Sequence, residues 1–256
     1  MQSIQKDKRI DAFIKGILLL ESDEAKTHRL PFFADGYPGI IFSKTNNGVS
    51  IQPQNKLLPP FFLYGQTIVP IELIIEGPYK MIIFQLYPFA TRLLLNIDPK
   101  AINDECYDLH LVKNVDTLGT LSKLQSANTD QQVELISNYI LETIKYSAVN
   151  PDNTIKLAVS TIINSKGNIP IHKLLEQLYL TERTFERKFL KEIGVTAKQF
   201  AKIVQFSFSL NQLKTSDYTT LTNIAYENGF ADQSHFIRTF KKYTGQTPKE
   251  LLSKIS

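Results

Sequence analysis

The sequence predicts an α+β chain of two domains: an antiparallel β-barrel or sandwich first, then an all-α half with two helix-turn-helix units. Three observations carry this. Short apolar runs broken by Pro and Gly fill residues 10–115. A set of polar, cationic and aromatic residues occurs twice between 175 and 251. The strand-like runs precede the helix-like ones instead of alternating with them, which argues for separate domains.

The N-terminal runs include Pro-Phe-Phe-Ala-Asp-Gly-Tyr-Pro-Gly-Ile-Ile-Phe at 31–42, Pro-Pro-Phe-Phe-Leu-Tyr-Gly at 59–65 and Met-Ile-Ile-Phe-Gln-Leu at 81–86. Runs of this length between turn residues suit antiparallel strands. Phe42, Phe62, Tyr64, Phe84, Tyr87 and Phe89 are available either to line a ligand cavity or to fill a β core. Asp35, just before Gly36, is a turn-maker.

Residues 129–145 follow as an amphipathic helix, with Thr129 as its cap and Val133, Ile136, Ile140 and Ile144 as its apolar stripe. Such a helix can pair with a second copy or pack on its own β domain. Asn150-Pro151-Asp152 is the expected hinge. A helix at 154–165 comes next, capped by Asp152 or Asn153 and stopped near Gly167.

The repeat is the most specific signal. In the second copy Ile224 and Ala225 open an apolar face, Gly229 supplies the turn, Phe230 points inward and Asp232 caps a new helix. Phe236 and Phe240 share one face of it, while Ser234, Arg238 and Lys241 or Lys242 recur on the other. Gly245 ends it and Pro248 opens the next turn. Shifted by 51 positions, Thr181 falls on Asp232, Phe185 on Phe236, Arg187 on Arg238, Phe189 on Phe240 and Gly194 on Gly245. Before the turn the shift is 50, so the second copy holds one extra residue near Ala231. Residues 196–214 read as one helix between the copies, capped by Thr196, with Phe200, Ile203, Val204 and either Phe208 or Leu213 buried.

Charge follows the same division. Residues 152–256 hold 15 Lys and Arg against 9 Asp and Glu, whereas the first 151 hold 14 against 16. Positive charge is thus concentrated on the half that would meet phosphates. Metal chemistry is not expected, because His28 and His110 lack ligand spacing in the first half. One cysteine, Cys106, excludes an internal disulfide and fits a reducing cytoplasm. No apolar run reaches membrane-spanning length, and residues 10–20 lack a signal peptide's basic start. No phosphate loop or nucleophile–base order suggests catalysis, so the chain is read as a non-enzyme without cofactors.

The run at 224–251, with Gly229-Phe230, Phe236, Arg238, Phe240, Gly245 and Pro248, resembles the signature of the AraC/XylS family of bacterial transcription regulators. The resemblance covers residues 153–255. It implies two recognition helices, at about 181–192 and 232–244, entering successive major-groove segments on one DNA face, about 34 Å apart. The family positions that touch bases match Arg183, Glu186 and Arg187 in the first helix, where Thr184 also faces outward as a candidate DNA contact, and Gln233, Ser234, His235 and Arg238 in the second. Glu186 either accepts from a cytosine amine or forms an ion pair with Arg183 or Arg187. Lys241, Lys242, Lys188 and Lys191 are phosphate contacts or solvated charges. Upstream, the segments at 28–36, 61–66 and 84–90 resemble the cupin-like N-terminal domain of one AraC-type subgroup, which often has Pro-Asp-Gly where this chain has Ala34-Asp35-Gly36.

The resulting expectation is a sequence-specific regulator with three parts. Residues 1–127 form a cupin-like sensing or dimerising domain, 128–151 a linker helix and hinge, and 152–256 the DNA-binding domain. The expected partners are double-stranded DNA, a small-molecule effector, RNA polymerase and a second copy. The alternative is a DNA-targeted protein whose N-terminal module is catalytic or a scaffold.

Overall fold

Residues 40–42, 61–64 and 81–84 are apolar at consecutive positions, a pattern that a strand tolerates only when both its faces are covered. The computed structural model, which describes residues 2–147, 150 and 152–255, covers both faces. A six-stranded antiparallel sheet runs in the order β1 (Gln2–Ile4), β2 (Ile14–Ser22), β9 (Tyr79–Leu86), β4 (Gly39–Thr45), β7 (Phe61–Tyr64), β10 (Cys106–Asp108). A four-stranded antiparallel sheet runs β3 (Thr27–Phe32), β8 (Ile71–Glu76), β5 (Val49–Gln52), β6 (Lys56–Leu58).

Alternation along the strands decides what each face meets. Ile41, Phe62, Tyr64, Met81 and Ile83 of the larger sheet pack against Val49, Ile51, Leu73 and Ile75 of the smaller, closing a sandwich. Their neighbours Ile40, Phe42, Phe61, Leu63, Ile82 and Phe84 point the other way. They meet Ile136, Tyr139 and Ile140 of the helix α3 (Thr129–Lys145). The Phe61 and Tyr139 rings meet edge-on at 5.1 Å. Of the two uses open to α3, packing on its own β domain is therefore realised.

Several sequence expectations need correction. The segment 10–115 is not wholly β: α1 (Ala90–Leu95) interrupts it, and α2 (Thr117–Ser126) precedes α3. Asn128, not Thr129, caps α3, because its side chain and that of Gln131 form a reciprocal capping box. Pro151 of the expected hinge lies outside the described residues.

The helical half continues with α4 (Asn153–Asn164), capped by Asp152, then α5 (Ile171–Leu178), α6 (Glu182–Ile193), α7 (Ala197–Lys214), α8 (Leu221–Glu227), α9 (Gln233–Thr244) and α10 (Pro248–Ile255). On α7 it is Leu213 that is buried, while Phe208 stays over a third exposed. The two halves do not keep separate cores. One apolar cluster runs from the six-stranded sheet through α3 and α4 to Phe185, Phe189 and Phe200 of the first helix-turn-helix unit. A second cluster gathers the other unit, Phe206, Phe230, Phe236, Phe240 and Tyr243, and includes Ala34 from the β half. Among the described residues, no helix is long and apolar enough to cross a membrane.

Candidate nucleic-acid interface

In each unit a buried aromatic pair fixes the roll of the recognition helix. Phe185 and Phe189 of α6 are fully buried, with ring centroids 5.5 Å apart, and Phe189 contacts Phe200 of α7 at 5.8 Å. In α9, Phe236 and Phe240 are fully buried and packed on Phe230 and Phe206. At about 100° per residue, a side chain two positions away lies almost diametrically opposite. Arg183 and Arg187 flank Phe185 in this way; Ser234 and Arg238 flank Phe236. All four are exposed.

The helix ends are built alike. Thr181 accepts from the Thr184 backbone N–H, and Asp232 accepts from that of His235 at 2.6 Å. Gly194 and Gly245 close the helices in the left-handed region at φ 85° and 75°. The turns before them differ. Gly229 takes φ 75°, whereas the matching position of the first unit is Tyr179, at φ 52° with 95% of its surface exposed. One residue separates Tyr179 from its cap Thr181 and two separate Gly229 from Asp232, which is the extra residue expected near Ala231.

The predicted site residues divide into two groups. Arg183, Arg187, Ser234, Arg238, Lys241 and Lys242 stand in solvent. Thr184, Glu186, Gln233 and His235 are partly buried and have local partners. The Thr184 hydroxyl accepts from that of Thr181, and the Gln233 side-chain oxygen accepts from Thr222 at 2.9 Å. His235 packs edge-on against Phe230. Among the described residues Glu186 forms no ion pair with Arg183 or Arg187; burial raises its carboxyl pKa, and the Ala197 backbone at the start of α7 opposes that rise. Lys188 is not a free cation either, since its Nζ lies 2.8 Å from Asp152.

The long helix α7 joins the units. Its 18 residues give about 27 Å at 1.5 Å per residue. Phe200 at one end belongs to the first aromatic cluster, Phe206 and Leu213 to the second. Between them Gln205, buried, donates to the Asn228 carbonyl at 2.9 Å and to Asn168 Oδ1 at 3.3 Å. Sequence patterning missed Gln205, because a polar residue inside an amphipathic helix looks like its solvent face.

The chain is similar to several known proteins. Residues 174–254 match the helix-turn-helix domain family. The C-terminal half carries an AraC-type double helix-turn-helix. Residues 2–108 match a domain of unknown function (DUF6597). The chain is similar to an uncharacterized HTH-type transcriptional regulator of Staphylococcus aureus (strain MSSA476), 29% identical over 139 residues, or 51% of this chain and 18% of that protein. It is also similar to the HTH-type transcriptional activator RhaS of Yersinia pestis (strain Pestoides F), 31% identical over 83 residues, 32% of this chain and 30% of RhaS. The chain thus spans less than a third of either relative. ToxT from Vibrio cholerae has a similar fold, with a TM-score of 0.53 at 14% identity over 93% of this chain and 97% of ToxT. ToxT bound to (E)-4-(8-methylnaphthalen-1-yl)but-3-enoic acid gives 0.52 at 15% identity, over 94% and 98%.

The β half grips the AraC-type module at both units. Arg92 of α1 forms an ion pair with the buried Glu192 of α6. Asn103 donates to the Gly194 carbonyl at 2.8 Å. Gly194 lies so close to the backbone of Pro99 and Lys100 that a Cβ there would come within 2.8 Å of the Lys100 nitrogen. At the second unit, Lys214 Nζ lies 5.6 Å from the Phe33 ring centre.

Both halves also border a cleft of about 420 Å³, whose walls include Lys15, Tyr37, Tyr87 and Phe89 from the β half and Lys156 and Ile163 from α4. Lys15 Nζ sits 3.7 Å over the Tyr37 ring, Lys156 Nζ 5.2 Å over Phe89, and Tyr87 stacks on Phe89 at 5.8 Å. Of the six aromatics open to either use, Phe42, Phe62, Tyr64 and Phe84 fill the core, while Tyr87 and Phe89 border this cleft. Asp35 does make its turn, accepting from Tyr37 N at 2.8 Å, and it also accepts from Gln85 at 3.0 Å. Burial pushes its carboxyl pKa up to about 6 against the opposing pull of those hydrogen bonds and of Lys15. Cys106 is half-buried, and the same effect pushes its thiol up to about 12.

Proposed function

We propose that this chain is a sequence-specific, DNA-binding transcription regulator that lays α6 and α9 into successive major-groove segments. The observation that carries this is the outward projection of Arg187 and Arg238 from matched helices held by one rigid α7. On this reading Arg183, Arg187, Ser234 and Arg238 read base edges, and Lys241 and Lys242 meet phosphates. Thr184, Glu186, Gln233 and His235 shape the helix starts, and their existing hydrogen bonds and packing leave them less free to turn to a base. The parts divide as 1–127, 128–151 and 152–256, with cytoplasmic DNA as target and RNA polymerase as the machinery that is regulated. Selection of duplexes from a random library, followed by gel-shift titration, tests the proposal; a chain that enriches no sequence is not such a regulator.

The N-terminal half is proposed to sense a small molecule rather than to catalyse. Two lysines and three aromatics meet at the junction of the halves, where a ligand could bias their relative position. That chemistry complements an apolar carboxylic acid, the class of compound bound by ToxT in one of its structures. Thermal unfolding with a panel of such acids tests this. Sensing requires stabilisation by at least one of them that is lost on substituting Lys15 or Lys156.

A further inference from the structure

At the C-terminal end of α6 lies a groove of about 480 Å³ to which both halves of the protein contribute. Arg187, Leu190 and Lys191 form one wall; Arg92, Asp98 and Lys100 belong to the other. Arg187, Lys191 and Lys100 are exposed cations, while Arg92 is neutralised by Glu192. The unpaired charge of these walls is therefore positive, with Asp98 as the opposing carboxylate. The position of Lys100 is fixed, because Asn103 binds the Gly194 carbonyl and Gly194 packs on the 99–100 backbone.

We propose that this groove seats the DNA backbone, so that Lys100 of the N-terminal domain is a phosphate contact continuing the surface of the first recognition helix. The inference rests on the reading of α6 as a DNA-recognition helix. The twelve residues of α6 span about 18 Å, longer than the roughly 12 Å width of a major groove. With the first turns over the bases, the last turn, Leu190–Ile193 in number, reaches the phosphate wall. Lys191 stands there, and Lys100 lies beside it across the groove. The charge bias of the helical half therefore understates the DNA-facing surface, since a cation from the more acidic half completes it.

The test uses the full chain with two fluorescent duplexes, one recovered by selection from a random library and one with the same bases scrambled. Lys100→Gln is expected to weaken both about equally and to lower the slope of log affinity against log salt by about 0.9. Raising salt fourfold should then cost the variant about 3.5-fold less affinity than the unmodified chain. Asp98→Asn should tighten both. An unchanged slope in Lys100→Gln, or tighter binding by it, would overturn the proposal, the latter meaning that the N-terminal domain stands in the path of the DNA. Failure of the unmodified chain to enrich any duplex would instead sink the regulator reading, and this proposal with it.

Discussion

Gln205 donates a hydrogen bond to the carbonyl of Asn228, 2.9 Å away, and so ties the middle of the connecting helix to the turn of the second unit. The same amide reaches Asn168, whose side chain packs against Gly229. One polar residue inside an apolar interface thus sets where the second recognition helix begins. Gln205→Leu leaves the buried Asn228 backbone oxygen without this donor, which should cost about 1–3 kcal/mol in denaturant unfolding. It should also weaken binding to a two-segment site more than to a single segment, as compared in gel-shift titrations.

The two turns predict opposite responses to exchange. Gly229→Ala places a Cβ within 1.9 Å of Asn168 Oδ1 at φ 75°, and about 1–3 kcal/mol of destabilisation is expected. Tyr179→Gly relieves the same left-handed strain where the side chain touches almost nothing, and should stabilise by about 1 kcal/mol. Urea melts of both variants check the pair.

Arg238→Ala should cost about 1–3 kcal/mol in specific binding and relax preference at one position. Lys242→Ala should weaken all sequences evenly. Competition titrations with matched and scrambled duplexes separate these outcomes.

Asp35 makes stability depend on pH. Its carboxyl rises from an ordinary 3.8 to about 6 in the fold, so the folded state holds its proton more tightly than the unfolded chain. That contribution is fully present below about pH 4 and is lost as pH rises through about 6. Above pH 7, Asp35→Asn should therefore be more stable than the unmodified protein by about 1–3 kcal/mol, with the difference shrinking toward pH 4. Thermal melts across pH 4–8 measure this, and a constant difference would show that the carboxyl does not titrate in that window.

The helical half was legible because its signals are local. Caps at Thr181 and Asp232, aromatics four apart and terminating glycines each specify a helix within a dozen residues. The order of strands before helices was equally visible in the punctuation by Pro and Gly. What stayed hidden depends on distant contacts. Nothing near Arg92 announces Glu192, and nothing near Lys188 announces Asp152, a partner 36 positions away. For Glu186, read either as a cytosine acceptor or as a helix-face ion, spacing cannot reveal that the start of α7 lies beside it. Tyr179 was hidden for another reason: an aromatic in a turn that its counterpart fills with glycine contradicts local preference.

On the proposed reading, Arg187 and Arg238 face two consecutive major-groove segments from one side of the duplex. Hydroxyl-radical footprinting and base-interference mapping on a selected site, with the full chain and its Arg187→Ala and Arg238→Ala variants, measure this. Two protected segments about 10 base pairs apart are expected, each variant losing contacts in a different one. A single protected segment, or both variants losing the same bases, would contradict it.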